Sequence, residues 1–286
     1  MMNTAGPGLV RGISIGGNIP QAVTGVVPVP VSNNFGRLNV NVDRYMPDEN
    51  EEPYRQAIRD LYALSATNGN AGVYDTGNTI FQMVDAFSTR DSTDYTPENG
   101  AVYPDTRLGS RVAHAAQMLK DDNQFLGVEL VVIEQGGYDT HSGQIDTGAP
   151  LDPASSQQPR LLNELSGSMA AFNQDMGAAR MQDTLFLVIT EFGRRAYQND
   201  SFGTDHGTGA VAMLMGGNVN GGCYNGGGNW PGLAEADLYR NGDDLMWATD
   251  FRDIYWEIMS GHFGLDNTTL DQVIPGHTYN SQNLIA

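Results

Sequence analysis

The sequence predicts an α/β fold with a mainly parallel sheet, on three observations. Two runs, Val128-Glu129-Leu130-Val131-Val132-Ile133 and Thr184-Leu185-Phe186-Leu187-Val188-Ile189-Thr190, are apolar or β-branched almost throughout, the composition of strands buried on both faces. Between them, from about 159 to 179, Leu161, Leu165, Met169, Phe172 and Met176 recur at steps of four, four, three and four, which marks one face of a helix. The order strand, long loop, helix, strand is that of a right-handed β-α-β crossover, and strands buried on both faces need helices on both sides.

The other elements follow in chain order. Residues 1–50, rich in Gly, Pro, Val and Asn, read as an extended, irregular covering segment, with Ile13-Ser14-Ile15 and Val26 to Val31 as short strand candidates. Pro53 stands where a first helical turn tolerates it, and Ala57, Ile58, Leu61 and Leu64 predict a helix over about 53–65. Leu108, Val112, Ala115 and Leu119 predict a second. Gly209 to Met215 is a further strand candidate. A last helix begins near Asp250, with Asp253 three residues on resembling a cap and Phe251, Ile254, Tyr255, Ile258 and Met259 as its core stripe. No period of about 20–50 residues recurs, which sets solenoids and propellers aside.

Composition narrows the function. The 286 residues are 40% hydrophobic and 17% charged, enough for a real core, and 34 acids against 15 bases leave a net charge of -19. That charge opposes binding to nucleic-acid phosphates or anionic lipid. No apolar run approaches the roughly 18–20 residues of a membrane span, and Met1-Met2-Asn3-Thr4-Ala5 lacks the order of a signal peptide. Cys223 is the only cysteine, so no internal disulfide forms. Lys120 is the only lysine beside fourteen arginines, which fits an acidic surface adapted to salt or to the cell exterior.

Ligands of open α/β sheets gather beyond the carboxyl ends of the strands, and both strong strands end in candidates. After the first comes Glu134-Gln135-Gly136-Gly137-Tyr138-Asp139-Thr140-His141-Ser142; after the second come Glu191-Phe192-Gly193-Arg194-Arg195 and then Gly203-Thr204-Asp205-His206-Gly207. Carboxylates neutralise a divalent charge and neutral imidazole supplies a directional nitrogen, so Asp139, His141, Glu191, Asp205 and His206 suit a mixed site for zinc, manganese or iron. Two alternatives stand beside it: Asp139 and Asp205 as turn caps with the histidines bonded to backbone, and Glu191 as an acceptor orienting a histidine or as the ion-pair partner of Arg194. Arg194 and Arg195 are either bidentate anion ligands or a solvated basic pair. His114 and His262 read as structural, and His277, after a turn, as a minor candidate ligand. No Gly-x-Ser-x-Gly elbow, Walker loop or His-Glu-x-x-His helix is present, and the glycine runs at 216–222 and 226–228 read as loop scaffolding.

Several ordered motifs carry a resemblance: Gly136-Gly137-Tyr138-Asp139-Thr140-His141-Ser142, Leu161-Leu162-Asn163-Glu164-Leu165 with Phe172, Thr190-Glu191-Phe192-Gly193-Arg194 and Thr204-Asp205-His206-Gly207-Thr208. Ile15-Gly16-Gly17-Asn18-Ile19-Pro20-Gln21-Ala22 with Thr24-Gly25, Trp230-Pro231-Gly232-Leu233 and Thr249-Asp250-Phe251-Arg252 extend it over most of the chain. Together they resemble the bacterial family called domain of unknown function 1501, itself similar to the alkaline phosphatase and sulfatase superfamily. The resemblance implies one three-layer α/β/α domain, incomplete at the amino end because relatives extend further there. It also implies a divalent-metal centre, zinc foremost, at Asp139, His141, Glu191, Asp205 and His206, with Arg194 toward a small anionic ester. No nucleophile is assigned. A periplasmic or secreted location is implied by relatives only. The two functions in view are a metal-dependent hydrolase of phosphate or sulfate esters and a non-catalytic exported protein that binds metal, a surface or carbohydrate.

Overall fold

Gly12-Ile13-Ser14-Ile15 forms β1 (Gly12–Ile15), and all four residues are buried. The structure is a computed structural model and describes residues 8, 10–24, 29–38, 48–69, 71–88, 90–120, 127–145, 156–224, 232–239, 242 and 244–286. Of the features singled out above, Met1 to Ala5, Gly25, residues 26–28 and 226–228, and the Trp230-Pro231 pair lie outside these. The fold is mixed α/β, and its contacts divide into two units: Met1–Gln135 with Gly167–Asp175, and Gly136–Ser166 with Met176–Ala286.

In the first unit β1 is the middle of a three-stranded parallel sheet, flanked by β2 (Val31–Ser32) and β3 (Leu130–Ile133). Ser14 pairs with Val31, and Gly12 to Ile15 run alongside Leu130 to Ile133. The Ile13-Ser14-Ile15 strand candidate is thus a strand, and through it the segment expected to be an irregular cover supplies the middle of the sheet. Four residues suffice because both edges are hydrogen-bonded, and so short a run says nothing of its partners. Conversely β3, expected to be buried on both faces, is only half-buried along its length.

Two long helices follow β2, α1 (Asp48–Thr67) and α2 (Ala71–Phe87). Because α1 starts at Asp48, Pro53 lies inside it rather than in its first turn. The expected core stripe also turns outward: Leu61 and Leu64 are 66% and 56% exposed. Instead Tyr62 meets Phe81 edge-on at 6.0 Å, while Arg59 covers the same ring at 4.6 Å and pairs with Asp85 at 2.7 Å.

Helix α3 (Arg107–Leu119) starts where the Thr106 side chain accepts the Gly109 N–H, and buries Leu108, Val112, Ala115 and Met118. Ala115 and Met118 join Val10, Ile13, Ile15, Phe35 and Phe87 in the core of this unit. His114 is structural, its Nε2 accepting the Phe35 N–H at 3.1 Å and its Nδ1 meeting Gln117 at 2.8 Å. Burial presses its pKa down, which keeps the ring neutral.

Helix α4 (Gln157–Met181) gives its middle to the first unit and its two ends to the second. Gly177, at φ 69 and ψ 164, kinks what the spacing predicted as one continuous helix, in a backbone region essentially reserved for glycine. On α4, Asp175 is fully buried and accepts from the hydroxyls of Tyr95 and Tyr103, each at 2.7 Å, from Lys120 Nζ at 2.5 Å and from the Glu98 N–H at 2.6 Å. Burial pushes its carboxyl up, but these donors together outweigh it and hold the group below the ordinary range.

In the second unit β4 (Leu185–Val188), β5 (Gly193–Arg194), β6 (His206–Gly207) and β7 (Met213–Gly216) form two antiparallel pairs, β4 with β7 and β5 with β6. The expected parallel crossover from β3 to β4 is not made among the described residues. One strand pairs with β1 and the other with β7, since an apolar run specifies burial and leaves the partner open. The three-layer arrangement is thus not part of what is seen here.

Helix α5 (Phe251–Gly261) is capped by Asp250, and its Ile254 and Ile258 pack with Leu284 against Leu185, Leu187 and Leu214. Phe251, expected in that stripe, is exposed. Asp253, expected at the cap, is buried and accepts from His277 Nε2 at 2.7 Å and from the Asn280 N–H at 2.9 Å. One turn on, Glu257 accepts the N–H groups of Gln282 and Leu284. Two carboxylates therefore pin the chain that follows α6 (Asn267–Val273) onto α5. No helix among the described residues is long and apolar enough to cross a membrane.

Candidate metal centre

The loop after β3 and the segment leading into β6 are zipped together by backbone bonds. Gly143 donates to Ser201, Gln144 to Phe202 and Thr204 to Thr140, at 2.9 to 3.2 Å. Gln144 Oε1 accepts both the Thr140 and the Thr204 hydroxyl, at 3.1 and 2.8 Å. Gly203 is required here, because a Cβ would come within 2.3 Å of the His141 carbonyl carbon. Asn199 closes the turn: its Oδ1 accepts the Ser201 and Gly203 N–H groups, and its Nδ2 reaches the His141 carbonyl at 2.9 Å. The zipper sets the Asp139-Thr140-His141 stretch beside Asp205-His206.

Asp139 Oδ1 lies 2.7 Å from His206 Nε2 and 3.0 Å from His141 Nε2. One donor atom from each of Asp139, His141 and His206 falls within 4.8 Å of the others, and all three residues are exposed. Asp205 occupies the far side of His141, its Oδ1 3.0 Å from Nδ1 and 3.2 Å from Asn199 Nδ2. His206 hydrogen bonding holds the Asp139 carboxyl below its usual range, and His141 followed by Asn199 does the same for Asp205, so both stay ionised.

Phe192 stacks on His206 at 4.3 Å and 13°, and the Arg194 guanidinium lies over the Phe192 ring at 5.0 Å. Register in the β5–β6 pair sets Arg194 opposite His206. Its Nη1 donates to the Thr204 carbonyl at 2.5 Å, and its Nη2 to the Tyr138 carbonyl and, at 3.3 Å, to Asp139. Arg194 thereby ties together the three segments that carry the site. Glu191 is exposed and makes no hydrogen bond or ion pair among the described residues; it is not part of the three-residue group. His277 is paired with Asp253, away from this cluster.

The donor set suits a borderline divalent ion, with two imidazole nitrogens and one carboxylate oxygen. An imidazole between carboxylates satisfies both contacts through a second ring proton or through a bound cation that takes its place. Asp205 behind Nδ1 is the arrangement that fixes a ligating histidine's tautomer and ring orientation. Phe192 and Asn199 were not anticipated, although Asn199-Asp200-Ser201, with Gly203 two residues on, carries the signature of a side-chain-closed turn.

Fold and site together define a mixed α/β protein with an exposed Asp–His group whose donor atoms lie close enough together to hold a metal ion. Residues 27–274 match the family described as Protein of unknown function (DUF1501), and the chain belongs to that family. Among curated proteins and among solved structures, none matches it.

Proposed function

We propose that the protein binds one divalent transition ion, zinc ahead of manganese or iron, through Asp139, His141 and His206, and that it is a hydrolase of phosphate or sulfate esters. The convergence of three donor atoms within 4.8 Å, with Asp205 behind His141, carries this reading. A closed structural zinc site uses four protein ligands, whereas the three gathered among the described residues leave a position for water or substrate, which favours the catalytic class. Bound there, the ion would polarise an ester oxygen and stabilise developing negative charge. Asp205 orients His141, Phe192 backs His206, and Arg194 braces the three site segments. The engagement of Arg194 with two backbone carbonyls also favours a second reading, a metal-binding protein without catalysis, since that guanidinium is not left open toward an anion.

Elemental analysis of purified wild type and of a His141→Ala, His206→Ala double variant tests the proposal. Near-stoichiometric metal in the wild type alone supports the centre; a folded wild type without metal removes it. Turnover of p-nitrophenyl phosphate or sulfate that disappears in His206→Ala selects the hydrolase, and a metal-loaded but inactive protein selects the second reading.

A further inference from the structure

Polar groups at the carboxyl end of the parallel sheet, within the first unit, have no part in the metal centre. The chain leaves β1 for β2 on one side and takes up β3 on the other, so the end of β1 is a switch point of the kind where open parallel sheets receive ligands. Arg111 of α3 reaches it, Nη1 donating to the Glu134 carbonyl at 2.9 Å and Nη2 to Asn33 Oδ1 at 3.1 Å. A Cβ on Gly16 would meet only that guanidinium, at 4.0 Å, and one on Gly17 only Asn33 Nδ2, at 3.7 Å. The glycine pair therefore leaves room in front of both groups.

Arg111 differs from the other arginines that have a buried Nε without a hydrogen bond. Arg11, Arg55 and Arg59 are each ion-paired, with Glu129, Glu52 and Asp85. Arg111 has no carboxylate at ion-pair distance among the described residues, and Glu134 acts on it only from farther away. Burial first, and the charge of Arg107 one turn earlier on the same helix second, press its pKa down, as expected for a cation short of a counter-charge. The N–H groups of Gly17 and Asn18 donate to no protein acceptor among the described residues. In a chain of net charge -19, two backbone N–H groups without a protein acceptor among the described residues and a guanidinium without an ion pair at a strand-end switch point, with a second guanidinium acting on it from the same helix, point to an anion. A tetrahedral oxyanion offers its oxygens to more donors at once than a planar carboxylate does.

We propose that Gly16-Gly17-Asn18, Asn33, Arg107 and Arg111 form a binding site for a tetrahedral oxyanion of the phosphate or sulfate class. This site does not depend on the metal centre. Chelator-treated full-length protein is titrated calorimetrically with inorganic phosphate, sulfate and acetate at constant chloride. Saturable binding of phosphate or sulfate in preference to acetate is expected, weakened at least about tenfold by Arg111→Gln and about two- to threefold by Arg107→Gln. The His141→Ala, His206→Ala variant should bind as the wild type does. Absence of saturable binding, equal binding of acetate, unchanged affinity in the arginine variants, or loss in the double-histidine variant each overturns the proposal. Should Arg111→Gln fail to fold by circular dichroism, the exposed Arg107, which makes no side-chain hydrogen bond among the described residues, decides alone.

Discussion

Two histidine–aspartate pairs in the second unit have the same 2.7 Å separation and lie in different surroundings. His277 and Asp253 are each 5% exposed, and Asp253 also accepts a backbone N–H. His206 and Asp139 are 50% and 57% exposed, and Asp139 is shared with His141 and Arg194. In the first pair every contact is to the protein's own chain, and the result is a clasp. The second leaves imidazole and carboxylate atoms facing solvent from separate segments, where an ion or substrate has access. Burial and the number of partners already engaged, rather than the bond itself, separate a structural pair from a chemical one.

Truncation at the buried pair should have the largest effect. Asp253→Ala leaves His277 and the Asn280 N–H without their acceptor, and is expected to cost about 3–5 kcal/mol in urea denaturation. Asp139→Asn should leave the urea midpoint where it was while metal retention is lost; a large stability loss there would erase the distinction. Next in size, Asp205→Asn keeps the fold but weakens metal affinity about 10–100-fold, read by chelator competition. An unchanged affinity would show that Asp205 does not orient His141.

Smaller still is the acid response of the buried carboxylate in the first unit. The folded pKa of Asp175 lies below its unfolded value, so the unfolded chain binds the proton more tightly. Its contribution is full above about pH 5 and is lost as pH falls through the folded value, below the ordinary carboxylate value of about 3.9. Asp175→Asn should therefore flatten the acid limb of a stability-against-pH curve measured from about pH 3 to pH 6. An equally steep limb would assign the acid response to other carboxylates.

Much of the local structure was legible. Spacing located α3 and the length of α4, and residue type with strand-end position marked Asp139, His141, Glu191, Asp205 and His206 as a set, of which the structure gathers Asp139, His141 and His206, sets Asp205 against His141 and leaves Glu191 out of the group. Less legible was anything that depends on a partner. Leu61 and Leu64 have helical spacing and still face outward, because the packing of α1 on α2 uses Tyr62 and Arg59 instead. Asp253 has the position of a capping residue, yet Asp250 makes the cap and Asp253 turns to a segment 24 residues on. For Arg194 the sequence marked the neighbourhood, while the structure shows which carbonyls its nitrogens hold.

By itself the sequence determined the mixed α/β character, most of the helices and the residue types of the candidate centre, because periodicity, turn preference and donor chemistry act over a few residues. Tertiary structure alone decided that β1 is central, that β3 and β4 join different sheets, and that Asp139 rather than Asp253 carries an open histidine pair. Strand partners and solvent exposure arise from contacts between segments far apart in the chain, such as Asp139 with His206, and no short window of residues contains both sides of such a contact.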